Sequence, residues 1–250
     1  MTLSKRDPKR WRFEDLALEY YNNLWQFSEL GVPTNYQRGK LRTVQSFFGH
    51  HRMDLEFKRG DVARPVTIAQ KYEFTLQDLE AAKKFGNPVE RWIFVGGKSL
   101  GQRVNVFSRI RRDLIESRLD EEPPVPIDII TRKVAGIVAH PCLDRDAVEA
   151  AKDLIAYLDA TYPDRNNPYM LPGRNEKRPM YETSINAAIK RVADIAHKSD
   201  PSLFQWREKK QSLRFHGLRA FLTAAFQNAH VDKDLREWII GHQLSDTSRA

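Results

Sequence analysis

The stretch RFHGLRAFLTAAFQNAHVDKDLREWIIGHQLSDTSRA, residues 214–250, combines two helical patterns with side chains suited to phosphate chemistry. In its first part, apolar residues recur at spacings of three and four, which predicts a buried helix. His216 stands at the start of this helix, and Arg219 falls in its first turn. The apolar positions that define the helix are Leu218, Phe221, Leu222, Ala225 and Phe226.

A second helix is predicted to follow, with Asp232 as its cap and Gly241 as its terminator. His242 comes directly after that terminator, so the two helices can bring both histidines and Arg219 to one cleft. A guanidinium group pairs with phosphate oxygens and an imidazole moves protons, so such a cleft suits a phosphate. The residues of the second helix expected to face the interior are Leu235, Trp238 and Ile239.

Each part of this pattern carries little weight alone. A chain with seven histidines and many arginines contains a chance match to H-x-x-R easily. A Gly-His pair after a helix is often only a helix end. The combination of both parts on two patterned helices is more specific, and it makes a phosphate-directed site the leading interpretation.

Composition agrees with a polyanionic partner. The 250 residues carry a net charge of +8 and 41% hydrophobic residues, enough for a real core. A basic balance favours nucleic acid, although a merely soluble basic protein is the alternative. The single cysteine, Cys142, excludes a disulfide framework and a cysteine-rich zinc cluster, and it fits the reducing cytoplasm. No apolar run approaches the length of about eighteen residues typical of a membrane span.

The N-terminal part predicts a small helical domain. An apolar face at helical spacing is expected within residues 12–30, and after the break at Gly31 and Pro33 a second helix is expected to begin at Thr34. Residues 56–74, with Gly60 and Pro65, lack a helical period and predict a linker, so we divide the chain into domains 1–66 and 67–250. The opposite face of the second helix carries Arg38, Lys40 and Arg42, and it is either solvated or a DNA contact. The residues expected to face inward are Phe13, Leu16, Tyr20, Leu24 and Phe27 in the first helix, and Leu41, Val44, Phe47 and Phe48 in the second.

The larger part predicts a mainly α domain with one small antiparallel sheet. Thr75 and Gly86 are expected to begin and end a helix, and the next apolar stretch is read as a helix pair or as one helix interrupted at Gly96-Gly97. Residues 124–141 carry β-branched residues on both sides of a short break, which predicts a hairpin. Thr183 or Ser184 is expected to start a later helix, whose apolar stripe is Ile185, Ile189, Val192 and Ile195.

HGLR, followed by a Gly-His pair whose histidine lies twenty-three residues after Arg219, resembles the C-terminal signature of the tyrosine recombinases, the phage-integrase family. In that family H-x-x-R and G-[HW] are followed, about nine residues later, by a nucleophilic tyrosine. Counting from His242 gives position 251, whereas the printed sequence ends at Ala250. We therefore expect this chain to stop just before the nucleophile.

The resemblance extends upstream. The family places a first catalytic arginine in a G-L-R-x-x-[ED] context, and SLGQRVNVFSRIRRDLI matches it at Arg103. Gln102 and Val106 depart from the pattern, which leaves Arg109 and Arg111 as competitors. The family also carries a lysine in the turn of a β-hairpin, and IITRKVAG puts Lys133 there. The N-terminal helices resemble the core-binding domain that forms half of the family's DNA clamp.

The resemblance implies a site-specific DNA recombinase that cleaves and rejoins DNA through a 3′-phosphotyrosyl link, without a metal or cofactor. It implies double-stranded DNA as partner, a tetramer on paired DNA sites, and a cytoplasmic, nucleoid-associated location without a membrane. It assigns charge stabilisation to Arg103 and Arg219, the leaving-group acid to Lys133, the base or a phosphate contact to His216, and a phosphate hydrogen bond to His242.

Two other classes of protein stay open. A non-cleaving DNA-binding protein on the same fold would use the phosphate-directed residues without a nucleophile. A metal-dependent nuclease would need clustered acidic ligands, and the only acidic groupings, LDRDAVE and LDEE, are typical of helix starts or turns.

Overall fold

A computed structural model describes residues 13, 15–20, 34–53, 55, 70–130, 138–163, 167–173, 177–209 and 211–241. The chain divides into two compact units, Met1–Ala69 and Gln70–Ala250. Among the described helices, none combines the length and apolar character needed to cross a membrane.

The first unit is helical where it is described. Residues 15–20 form a helical stretch and helix α1 spans Thr34–His50. A small core contains Ala17, Leu41 and Leu55, against which Phe13, Val44 and Phe48 pack. The predicted apolar faces were therefore partly wrong, because the buried position is Ala17 and its neighbours point outward. The exposed residues that we had expected inside are Leu16, Tyr20 and Phe47; Leu24 and Phe27 lie outside the described residues.

The second unit is built around helix α3. Helix α2 (Leu76–Phe85) begins with a capping box between Thr75 and Asp78 and ends at Gly86, as predicted. Helix α3 (Pro88–Leu100) begins with a second capping box, between Asn87 and Glu90. Its residues Trp92, Ile93, Phe94 and Val95 are fully or almost fully buried, and α2 packs against it.

Helix α3 runs without a break through Gly96 and Gly97, so the predicted interruption there was wrong. The two glycines serve packing and do not end the helix. A Cβ on Gly96 would lie 2.7 Å from the ring of Trp92, and one on Gly97 would lie 2.8 Å from the ring of Phe215. The helix ends instead at Gly101, whose φ of 57° is left-handed.

Two short helices and a small antiparallel sheet region follow. Helices α4 (Val104–Phe107) and α5 (Arg112–Glu116) lead into strands β1 (Val125–Pro126), β2 (Ile129–Ile130), β3 (Val138–Ala139) and β4 (Cys142–Leu143). Strand β2 pairs antiparallel with β3, and β1 pairs antiparallel with β4. The nested pairs confirm the predicted hairpin.

Four helices complete the described part of the chain: α6 (Arg145–Thr161), α7 (Glu182–Ser199), α8 (His216–Asn228) and α9 (Lys233–Ile239). Helix α7 begins at Glu182, slightly before the predicted start, and packs against α2 and α3. Asp232 caps α9 as predicted, accepting bonds from the N–H groups of Asp234 and Leu235.

The apolar faces predicted for the last helices were largely wrong. Of the residues predicted to form the apolar face of α8, Leu218 is buried, Phe221, Leu222 and Phe226 are half-buried, and Ala225 is exposed. Helix α8 packs against α3, and the residues that it buries, Gly217, Leu218 and Arg219, lie near its N-terminal end.

In α7, Ile185, Ile189 and Val192 are fully buried as predicted, whereas the last residue of that stripe, Ile195, is exposed. In α9, Leu235 and Trp238 were expected inside and are exposed.

Candidate active site

The start of helix α8 is fixed to the core of the second unit. Phe215 and Leu218 are almost fully buried. The N–H of Phe215 donates to Oδ1 of Asn186 on α7 at 2.9 Å. A Cβ on Gly217 would lie 2.6 Å from the ring of Phe74, so only glycine permits this approach. His216 sits between these anchored residues and is itself exposed.

Arg219 is a buried cation one turn into α8. It is 6% exposed, and its Nη1 donates to the carbonyl oxygen of Gly101 at 3.1 Å. Burial lowers the pKa of its guanidinium, the charge of Arg103 lowers it further, and Glu237 acts in the opposite direction. The left-handed turn at Gly101 thus supplies the acceptor that orients Arg219, and it also leads the chain into Arg103.

Arg103 is the upstream arginine that the structure brings to this region. It immediately precedes α4 and is half-buried. Its charge acts on both Arg219 and His216, because it lowers the pKa of each. Of its competitors, Arg109 is exposed, and Arg111 donates from Nη2 to Oδ2 of Asp113 at 2.7 Å. That pairing raises the pKa of Arg111 and lowers that of Asp113, so the charge of Arg111 is already compensated.

His216 is held toward its neutral form. The side chain is exposed, but neighbouring protein removes part of the water around it, and this partial burial lowers its pKa from the ordinary value. The charges of Lys71, Arg219 and Arg103 lower the pKa further, in that order. A neutral imidazole beside several cations can accept a proton at neutral pH. The same cations would attract an anion to the start of α8, which is the arrangement a phosphodiester requires.

Lys71 was missed by the sequence analysis. It stands outside every recognisable motif, near the end of the aperiodic segment that we interpreted as a linker. The structure brings it to the site through a parallel bridge between Lys71 and Ser212. No local signal in the sequence reveals a bridge between such distant segments.

Several predicted site residues fall outside the described part of the chain. Lys133 and His242 lie outside the described residues, as does the side chain of Arg38. Lys40 and Arg42 are exposed on α1. Within the described ranges, no three His, Cys, Asp or Glu side chains are grouped so that they could hold a metal ion.

Solved structures with a similar fold come from one class of proteins. The Tn1549 transposon integrase in complex with circular intermediate DNA superimposes with a TM-score of 0.63 at 14% identity, covering 93% of this chain and 78% of that one. A lambda integrase dimer bound to a core site gives 0.57 at 14% identity, covering 93% and 80%. The XerH site-specific recombinase bound to its difH substrate gives 0.54 at 17% identity, covering 85% and 59%.

The chain therefore has the tyrosine recombinase fold, and the predicted fold class is confirmed. At the level of sequence, no protein-family model and no curated protein matches it.

Proposed function

We propose that this protein is a site-specific DNA recombinase of the tyrosine type. The observation that carries the proposal is the convergence of Arg103 and Arg219 on His216, in a chain with the tyrosine recombinase fold. Two cations and a neutral imidazole at one helix start match the needs of phosphoryl transfer. The net charge of +8 suits a DNA partner.

In the proposed reaction, a tyrosine hydroxyl attacks the phosphorus of a DNA phosphodiester. His216 accepts the hydroxyl proton as the new phosphorus–oxygen bond forms. The bond to the 5′ oxygen breaks, and Lys133 donates the proton that the leaving oxygen needs. Arg103 and Arg219 stabilise the charge that develops on the non-bridging oxygens, and His242 donates a hydrogen bond to one of them.

The nucleophile is assigned to position 251, following the family spacing from His242. Among the 250 residues of the printed sequence, the last tyrosine is Tyr181, which is 61% exposed and precedes α7. A nucleophile must stand in line with the leaving oxygen, so a tyrosine on an unrelated element is a poor substitute.

The N-terminal domain is proposed to complete a DNA clamp. Lys40 and Arg42 are exposed on α1, beside Arg38 in the sequence, and would contact phosphates. We place the boundary of this domain near residue 66, and the division of the chain at Ala69 supports that proposal. Assembly as a tetramer on paired DNA sites and association with the nucleoid belong to the same proposal.

The second candidate is a DNA-binding protein on this fold that cleaves nothing. Within the 250 residues of the printed sequence, no tyrosine follows Tyr181. This second candidate requires the same phosphate-binding residues, so binding alone does not separate the two functions. The two functions differ in whether a covalent protein–DNA adduct forms.

The test uses a polypeptide extended by a short segment with tyrosine at position 251. It is incubated with a nicked suicide duplex that carries a site selected by the protein from random-sequence DNA. We expect a denaturation-resistant protein–DNA adduct from the extended chain and none from the 250-residue chain. An extended chain that folds and binds DNA but forms no adduct would leave the DNA-binding protein as the better function.

A further inference from the structure

Lys71 is held beside the segment that leads into helix α8. The N–H of Tyr72 donates to the carbonyl of Ser212 at 3.2 Å, and the N–H of Ser212 donates to the carbonyl of Gln70 at 2.7 Å. These bonds flank the bridge between Lys71 and Ser212. Because Ser212 precedes His216 by only four residues, the backbone of Lys71 is fixed close to the proposed base.

The segment that carries Lys71 is anchored on its other side. Tyr72 and Phe74 are both 6% exposed. The hydroxyl of Tyr72 donates to Oδ2 of Asp78 at 2.8 Å, and the ring of Phe74 packs against Gly217. Side chains alternate along extended backbone, so the burial of Tyr72 and Phe74 turns Lys71 outward. Lys71 is accordingly exposed.

The positive charge of Lys71 acts on His216, as the charges of Arg103 and Arg219 do. After burial, it lowers the pKa of His216 more than Arg219 or Arg103 does. In the part of the chain that the structure describes, no carboxylate forms an ion pair with Lys71 or with Arg103. Two cations from distant segments therefore act on one imidazole, and this repulsion costs stability unless an anion binds there.

We propose that Lys71 is a further phosphate-binding residue of this site and contacts a DNA phosphate oxygen together with Arg103 and Arg219. The inference rests on the proposed function, because the anion is taken to be a DNA phosphate. A lysine ammonium is a compact point charge on a flexible stem, which suits an exposed contact of this kind. The alternative is that Lys71 is an ordinary surface lysine, exposed to solvent near the start of the second unit.

The test compares Lys71→Gln with Lys71→Arg and with Lys152→Gln in the full chain. Lys152 is also exposed, and it adjoins Asp153, which pairs with Arg91 near the N-terminal end of α3, whereas the site lies at the C-terminal end. The helix of thirteen residues separates the two by about 20 Å. Two quantities are measured: the affinity for a short mixed-sequence duplex across a salt series, and the pKa of the His216 ring by NMR.

We expect Lys71→Gln to weaken duplex binding about three- to fivefold and to reduce the salt slope by about one. It should also raise the pKa of His216, since it removes a neighbouring positive charge. Lys71→Arg and Lys152→Gln should leave the slope and the pKa of His216 as they are. Thermal unfolding of Lys71→Gln is measured as well. If Lys71 had a purely structural role, the pKa of His216 would not rise in a variant that unfolds at the same temperature as the unaltered chain.

The outcomes separate this inference from the proposed function. If the unaltered chain binds duplex DNA and Arg103→Gln weakens that binding, but Lys71→Gln behaves as Lys152→Gln does, the assignment of Lys71 is overturned and the proposed function stands. An unchanged pKa of His216 in Lys71→Gln would also overturn it, because Lys71 would not lie beside the ring. If the unaltered chain binds no duplex, both proposals fail.

Discussion

Two sets of arginines in the second unit differ in what surrounds their guanidinium groups. In the first set, each guanidinium pairs with a carboxylate at the surface. These ion pairs connect separate elements, and the pair between Arg191 and Glu90 joins α7 to the start of α3, where Glu90 is buried. The paired arginines are Arg91 with Asp153, Arg111 with Asp113, Arg112 with Glu116, Arg191 with Glu90 and Arg207 with Asp194.

The second set surrounds the start of α8. Arg219 is buried and donates to a backbone carbonyl, and Arg103 acts on it as a like charge. The charge of Arg103 lowers the pKa of Arg219, and both charges lower that of His216, whereas the carboxylate of Asp113 raises the pKa of Arg111. The first set therefore serves the fold, whereas Arg103 and Arg219 bring two positive charges close enough to act on His216.

The largest effect is expected for Arg219→Ala in the chain extended with a tyrosine at position 251. Removing a buried cation that stabilises transition-state charge should lower the rate of adduct formation by about a thousandfold. The rate is measured on the suicide duplex in single-turnover reactions. Arg219→Lys is the matched control for folding, since it keeps a charge but loses the guanidinium geometry. A rate within tenfold of the unaltered extended chain would remove Arg219 from the site.

Arg103→Gln and Arg111→Gln compare the two sets directly, because each substitution removes one positive charge from one set. Arg103→Gln should slow adduct formation by about a hundredfold, because its charge acts at the site. Arg111→Gln should leave the rate unchanged, since its guanidinium is paired with Asp113. The reverse result would mean that the first catalytic arginine was assigned to the wrong residue.

Substitutions in the first set of arginines should lower the stability of the protein and leave its affinity for DNA unchanged. Arg191→Gln leaves the buried carboxylate of Glu90 without its guanidinium partner, which should lower the free energy of unfolding by about 1–2 kcal/mol. Denaturant unfolding measures the change, and the duplex affinity of the folded variant should match that of the unaltered chain. A loss of affinity with no loss of stability would place Arg191 in the DNA-binding surface.

A smaller effect is expected from pH. The pKa of His216 is lowered in the folded chain by burial and by the three cations, so the unfolded chain takes up this proton first as pH falls. The contribution of His216 to stability is therefore fully present above its unfolded pKa, near 6.5, and is lost as pH falls toward the folded value. Unfolding at several pH values should show that His216→Gln removes this loss; identical pH dependence in both proteins would contradict the lowered pKa.

The sequence predicted features that depend on neighbouring residues. Thr75 and Asp232 cap their helices as expected, because a cap is decided within about four residues. The hairpin between β2 and β3 is another local feature, and its β-branched strands were sufficient to predict it. His216 was likewise placed correctly at the first residue of a helix.

Features that depend on distant partners were not predictable from the pattern. Gly96 and Gly97 were interpreted as a break, but Trp92 and Phe215 occupy the space that side chains would need. Leu235 and Trp238 match an inward stripe, yet they are half exposed, because periodicity shows which residues share a face and not what covers it. Lys71 reaches His216 only through its bridge to Ser212.

The central claim is that the cations at the start of α8, and not basic charge in general, bind DNA phosphate. Its most direct test compares two double variants of equal net charge, Lys71→Gln/Arg103→Gln and Arg111→Gln/Arg112→Gln, in duplex affinity across a salt series. We predict that the first variant binds the duplex about tenfold more weakly at low salt and that its salt slope falls by about two. The second variant should keep the affinity and the salt slope of the unaltered chain. Equal losses in the two variants would contradict the central claim.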